Sequence, residues 1–328
     1  DCNVGVGRNA LRSNTTAGDN TAIGTNALCS NTTASNNTAV GKAALKVNTT
    51  GTQNVAVGRN AGDANTEGTN NVALGDSALS SNTTADGNTA VGRASLHSNT
   101  TGTRNTAVGN DALFTNTTGN ENASFGNLSL DANTTGCKNN AFGDSALTAN
   151  TSGCCNVAVG NAALSSNTTG CRNTAIGINA STSNQTGCCN VSVGAFSLEQ
   201  NSTGCCNVAV GILSLNRNTT ANNNVAVGHA SLDQNTTGHT NVAIGNNALD
   251  ANTTGCKNTA VGRHALSSNT TANNNTAIGC GAMIANTEGA DNVAVGKDSL
   301  VTATTGVNNT AVGASSALRL TTGSQNAM

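Results

Sequence analysis

The sequence predicts an all-β protein, a parallel β-solenoid of 19 coils with 17 residues in each. Three observations predict it. An Ala-Val-Gly signature returns every 17 residues, its glycine falling at Gly7, Gly24, Gly41, Gly58 and onward to Gly313 without insertion or deletion, and a fixed period of this kind marks a repeat architecture. Each repeat is built from Gly, Asn and β-branched Thr and Val, all poor helix formers. Within Asn-Thr-Ala-Val-Gly the residues alternate with period two, the spacing of a short strand.

One unit runs from Asn20 to Asn36 and reads N-T-A-I-G-T-N-A-L-C-S-N-T-T-A-S-N; its positions are numbered here as registers 1 to 17. Registers 2 to 4 form a strand that the register 5 glycine ends. Registers 2 and 4 share one face and register 3 the other. A second short strand is expected around the Ala-Leu of registers 8 and 9, and Asn-Thr-Thr-Gly reads as a turn. Stacking each coil on the next at about 4.8 Å piles like registers into columns, making a rod of roughly 90 Å. The always apolar register 4 (Val6, Ile23, Val40, Val57, Leu74, Phe125, Phe142) is expected to form one buried column and the register 9 leucines another. The Ala and Ser of registers 3 and 8 would leave low, uncharged outer strips for lateral contact. A single coil buries too little apolar surface to stand alone, so stacking must supply the stability.

Composition narrows the functional classes. The 328 residues include no Trp, Tyr or Pro and four Phe; 9% are charged, and the net charge is -2. A nucleic-acid binder lacks its basic excess and stacking aromatics here. No apolar run reaches the length of a membrane span. The low charge is unlike an expanded, self-repelling disordered chain. The whole of 1–328 reads as one continuous repeat domain.

Two registers are asparagine columns. Register 1 is Asn throughout, as at Asn20, Asn37 and Asn54, and register 12 is Asn in 17 of 19 units, as at Asn31 and Asn48, failing only at Ala303 and Leu320. Stacked side-chain amides are expected to form ladders, each bonding the Asn one coil above and below. Register 12 also carries Asn-x-Ser/Thr in 15 units, so Asn31, Asn48, Asn99, Asn167 and Asn252 are possible N-glycosylation acceptors. Glu67 and Glu288 break the triplet while Asn65 and Asn286 remain, which favours a role for the Asn itself. The Thr pair at registers 13 and 14 supplies one outward rank, a weak signal for ice binding.

The cysteines are not scattered. Register 16 holds Cys137, Cys154, Cys171, Cys188 and Cys205 on successive coils, then Cys256; register 17 holds Cys2, Cys155, Cys189 and Cys206. Same-register Cα atoms on neighbouring coils fall inside the disulfide range. Cys154–Cys171, Cys188–Cys205 and Cys189–Cys206 are therefore candidate rungs, which imply an oxidising, extracellular setting. Cys2, Cys29 and Cys280 lack a same-column neighbour and are candidates for an unpaired or interchain role. Adjacent Cys-Cys lacks the chelate spacing of a metal site. His97, His229, His239 and His264 lie in four different registers, and no acidic pair recurs beside one. No catalytic residue, metal or cofactor is expected.

Asn36-Asn37-Thr38-Ala39-Val40-Gly41 resembles the N-S-V-A-I-G head repeat of trimeric autotransporter adhesins, and the longer unit is similar to repeat arrays in bacterial surface and phage tail-fibre proteins. The likeness covers essentially the whole chain. It implies a left-handed parallel β-roll, often trimeric, serving as a fibre or adhesin; the unit here is longer, and the cysteine columns are a departure. The expected function is thus an extracellular structural fibre on a cell or virion surface, with an adhesin for a host, glycan or ice surface as the alternative. Self-association as a head-to-tail filament or trimer is the expected partnership, with glycans possible and neither nucleic acid nor a membrane span involved. Asp1 is not an initiator Met and Asn326-Ala327-Met328 stop inside an opening strand, so a fragment of a longer array, or ends covered by neighbouring copies, is expected.

Overall fold

The computed structural model describes residues 2–328. The chain divides into two compact units, Asp1–Thr169 and Gly170–Met328, and each is a parallel β-solenoid with one three-residue strand per 17-residue coil. The first unit starts with β1 (Val4–Val6), β2 (Thr21–Ile23) and β3 (Thr38–Val40) and continues at the same interval to β10 (Val157–Val159). The second runs from β11 (Thr174–Ile176) to β19 (Thr310–Val312). Within each unit successive strands pair in parallel, residue i opposite i+17: Val4 faces Thr21, and Val191 faces Val208. Among the described residues no helix is long and apolar enough to cross a membrane.

The strand ends where the register 5 glycine takes φ near +133°, as at Gly24. A Cβ on Gly24 would stand 2.4 Å from the Gly41 carbonyl oxygen of the next coil. Any side chain would therefore force the coils apart, which explains why this register never varies.

Beyond the glycine the expected second strand does not form. Registers 7 and 9 both adopt left-handed backbone, as at Asn26 (φ 60°) and Leu28 (φ 46°). Alternating left-handed residues curl the chain, whereas a strand needs extended φ throughout. Coil-to-coil hydrogen bonding continues nonetheless: Asn26 N–H donates back to the Arg8 carbonyl at 2.8 Å and Leu28 N–H forward to the Ala44 carbonyl at 3.1 Å. Left-handed backbone strains a leucine by about 1–2 kcal/mol. Complete burial of the side chain, as at Leu28, Leu113 and Leu249, opposes that strain with about 1.5–3 kcal/mol per coil.

The inside of the coil reverses one expectation and bears out another. The leucines of register 9 do form a buried column. The register 4 residues do not: Ile23 is 40% exposed and Val159 36%. Their inward counterpart is register 3, where Ala22, Ala158 and Ala209 are fully buried, joined by the register 8 residues Ala27, Ala163 and Ser214. The small residues expected as outer strips are thus the core, and Val, Ile and Thr of registers 2 and 4 face outward. The reason is room. A coil of this length encloses two alanines and one leucine, with asparagines of registers 1 and 12 as its remaining inner wall.

Candidate functional site

The repeated polar columns are built from the same stacking. At register 1, Asn20 Oδ1 accepts the backbone N–H of Asn37 at 2.9 Å, and Asn37 Oδ1 accepts that of Asn54 at 2.9 Å. The amide nitrogen turns inward within its own coil, Asn20 Nδ2 donating to the Ala34 carbonyl at 3.0 Å and Asn54 Nδ2 to that of Gly68 at 2.8 Å. The ladder expected here exists, but most of its rungs join side chain to backbone. It recurs in the second unit, where Asn190 Oδ1 receives Asn207 N–H at 2.9 Å.

Register 12 carries the amide-to-amide ladder. Asn31 Nδ2 donates to Asn14 Oδ1 at 2.9 Å, and Asn48 Nδ2 to Asn31 Oδ1 at 3.1 Å. Each nitrogen also donates across the turn, Asn48 Nδ2 reaching the Gly51 carbonyl at 2.9 Å. A primary amide has two N–H bonds, and both are used. Asn99 and Asn252 repeat the double donation, and Asn167 donates to Asn150 Oδ1 at 2.8 Å. All five proposed glycan acceptors are fully buried. An N-glycan on these nitrogens does not fit this arrangement, because the attachment would remove a donor and push a sugar into the coil wall.

The ladder stops at a substitution. Ala303 stands where the next register 12 Asn would be, and Asn286 Oδ1 is left buried with no hydrogen-bond partner. Beside the Asn column, the register 13 threonines donate their hydroxyls to the following coil, as Thr32 Oγ1 does to the Thr49 carbonyl at 3.2 Å. Their register 14 neighbours, such as Thr33, are exposed.

Register 16 is a further acceptor column, which sequence reasoning missed. On many coils, though not at Ala290 or Val307, its side chain takes the register 16 backbone N–H of the preceding coil. Ser35 Oγ accepts from Gly18 at 3.1 Å, Asp86 Oδ1 from Thr69 and Asn120 Oδ1 from Thr103, both at 2.7 Å. The signal lay in the residue types at this register, mostly short side chains carrying an acceptor. Cysteines occupy the same place: Cys154 Sγ accepts from Cys137 N–H at 3.1 Å, and Cys188 Sγ from Cys171 N–H at 3.2 Å. Cys205 Sγ likewise accepts from Cys188 N–H at 3.1 Å. The Cys137 and Cys154 sulfurs lie 3.0 Å apart. At register 17, Cys189 and Cys206 are hydrogen-bonded neighbours, and burial followed by these surrounding thiols pushes the Cys206 pKa up.

The three cysteines expected to be unpaired or interchain separate by exposure. Cys2 and Cys280 are exposed, whereas Cys29 is buried, a position that a second chain does not reach in the folded coil. Among the described residues no three His, Cys, Asp or Glu side chains group as a metal set. Charge is paired between coils on the outside: Arg59 meets Asp76 at 2.7 Å and Arg104 meets Glu121 at 3.1 Å. Exposed pairs of this kind contribute about 0–1 kcal/mol and mainly favour in-register stacking.

These features define a β-solenoid repeat protein whose coils are joined by asparagine ladders. No protein-family model and no curated protein matches the chain.

Proposed function

We propose that the chain is a structural element of an extracellular fibre, self-associating through its strand face and stiffened by cysteine rungs between coils. The observation that carries this reading is the recurrence of the ladders within each unit, register 1 without a break and register 12 as far as Asn286. Coil after coil presents the next with the register 1 Asn acceptor, the same backbone donors and the same strand. Such a surface is a scaffold, and its variable residues, registers 6, 7 and 10 among them, vary without disturbing it.

The outward Val, Ile and Thr ranks support a second copy as partner. Nine strands in Gly170–Met328 each turn two side chains outward; at roughly 50 Å² apiece these present on the order of 900 Å², the level of the ~800 Å² per partner buried in a standard interface. Fourteen of these eighteen side chains are Val or Ile and four are Thr, and an exposed, largely apolar face of this kind marks a contact site. A copy of the same chain has the same coil pitch, so its ranks interleave along the whole contact. The resemblance to adhesin and tail-fibre repeats agrees with this role.

Negative-stain imaging and sedimentation of the full chain test the proposal. Elongated particles of more than one copy are expected, and Val193→Asp combined with Val210→Asp and Val227→Asp should dissociate them while leaving the circular dichroism spectrum unchanged. A monomer at all concentrations would refute self-association. Retained assembly with lost attachment to a cell or glycan surface would favour the adhesin reading instead.

A further inference from the structure

At register 16 the preceding coil's N–H is accepted by side-chain oxygen at Ser35, Asp86 and Asn120, while Ala290 and Val307 hold the same register with no acceptor. Sulfur is a weak acceptor by comparison. The backbone hydrogen bond therefore does not explain why cysteine replaces oxygen-bearing residues on successive coils. A reaction between the sulfurs does.

We infer that Cys137 and Cys154 form a redox site in which a low-molecular-weight disulfide converts the two thiols into an intercoil disulfide. Three observations lead to this pair. The sulfurs are 3.0 Å apart, inside the contact distance from which one can attack a disulfide on the other. The backbone is already locked in register at this point, Cys155 N–H donating to the Cys137 carbonyl at 3.0 Å and Cys137 N–H to Cys154 Sγ at 3.1 Å. Strand spacing between adjacent coils falls within the Cα range a disulfide spans without distortion. Cys137 also begins the column: register 16 of the coil before it is Asn120, so its column offers it one sulfur neighbour. The pairing frame this sets, Cys137 with Cys154, competes with Cys154–Cys171 and rests on the rung reading proposed above.

The chemistry balances as two thiol–disulfide exchanges. One cysteine, as thiolate, attacks the small disulfide, forming a mixed disulfide and expelling one small thiolate. The second cysteine gives its proton to solvent and attacks the sulfur of the first, expelling the other. One small disulfide is reduced to two small thiols, and two protein thiols are oxidised to one disulfide. The hydrogen bond to Cys154, with burial next, pushes the Cys137 pKa up to about 11. Its thiolate is therefore scarce at neutral pH, and the reaction should quicken as pH rises toward 9.

The full chain, purified with reductant and then incubated with oxidised and reduced glutathione, is quenched with N-ethylmaleimide and digested with trypsin without reduction. Cleavage after Arg104, Lys138 and Arg172 yields peptides 105–138 and 139–172. They are expected as one linked species, two hydrogens lighter than their sum. The link should be lost in Cys154→Ser and kept in Cys155→Ser and Cys171→Ser. Resistance to native-state proteolysis in each reduced variant controls for folding. Finding Cys154–Cys171 or Cys188–Cys205 linkages with Cys137 fully alkylated would overturn this pairing while leaving the rungs standing. Alkylation of every cysteine after oxidation would overturn both.

Discussion

Phe142 lies directly over Phe125, the ring centroids 4.9 Å apart and the planes within 6° of parallel. Aromatic pairs left to themselves prefer offset or edge-to-face arrangements. Here the backbone decides: Phe125 and Phe142 are paired residues of neighbouring parallel strands, so their separation reports the coil pitch. His97 and Phe114, in a different register, stack at the same 4.9 Å.

That pitch should be measurable. Oriented fibres or dried films of the protein are expected to give a meridional reflection near 4.8 Å and a circular dichroism spectrum without a helical signature. A spectrum dominated by helix would refute the coil.

Substitutions on the two sides of one strand should behave oppositely. Val159→Asp places a charge on an outward, partly exposed side chain and should cost less than about 1 kcal/mol in an isolated chain. Ala158→Val adds two methyl groups at a fully buried position and should cost about 1–3 kcal/mol from overpacking. Urea unfolding of the two variants compares them directly.

Repairing the asparagine ladder should stabilise the second unit. In Ala303→Asn combined with Leu320→Asn each new Nδ2 reaches toward the Oδ1 of the coil before, Asn286 Oδ1 being the buried acceptor without a partner, and a gain of about 1 kcal/mol is expected. Asn235→Ala interrupts an intact stretch between Asn218 and Asn252 and should lose about 1–3 kcal/mol, because it strands buried partners on both sides. Thermal melts of both variants give the ordering.

The invariant glycine and the left-handed leucine should be intolerant for different reasons. Gly41→Ala puts a Cβ 2.3 Å from the Gly58 carbonyl oxygen at φ +137°, and a loss of at least ~3 kcal/mol is expected from strain and clash together. Leu249→Ala keeps the left-handed backbone but empties a fully buried site, for about 2–5 kcal/mol. Chemical denaturation measures both losses.

Stability should depend on pH through register 10. Burial raises the carboxyl pKa of Asp63, Asp131 and Asp233. A raised folded-state pKa contributes stability that is present below the unfolded value and lost as pH rises through the folded one. Asp63→Asn, Asp131→Asn and Asp233→Asn should therefore stabilise at pH 7 and lose that advantage near pH 3. Asp76 runs the other way: its hydrogen bond to Arg59 lowers its pKa, so its contribution fades as the solution is acidified. Melting temperatures across pH 3–8 test both signs.

The period, the parallel in-register stacking, the strand at registers 2 to 4, the leucine column and both asparagine ladders were legible in the amino-acid order. Each follows from identity at a fixed interval: if Asn recurs every coil, Asn must stack on Asn. The acceptor column at register 16 was harder to read, since Ser35, Asp86, Asn120 and Cys154 share an acceptor and not an identity. The left-handed Leu28 was not legible either, because a β-unfavourable backbone is imposed there by coil closure against the residue's own preference.

The sequence by itself determined which residues lie above which, since a repeat without insertions admits one alignment of coil on coil. Tertiary structure alone decided which strand face lies inside. Alternation defines two faces without choosing between them, and larger Val and Ile side chains favour burial by area. The closed coil overrides that preference: its narrow interior admits Ala22 and Leu28 beside the asparagine wall, and Ile23 is left facing out.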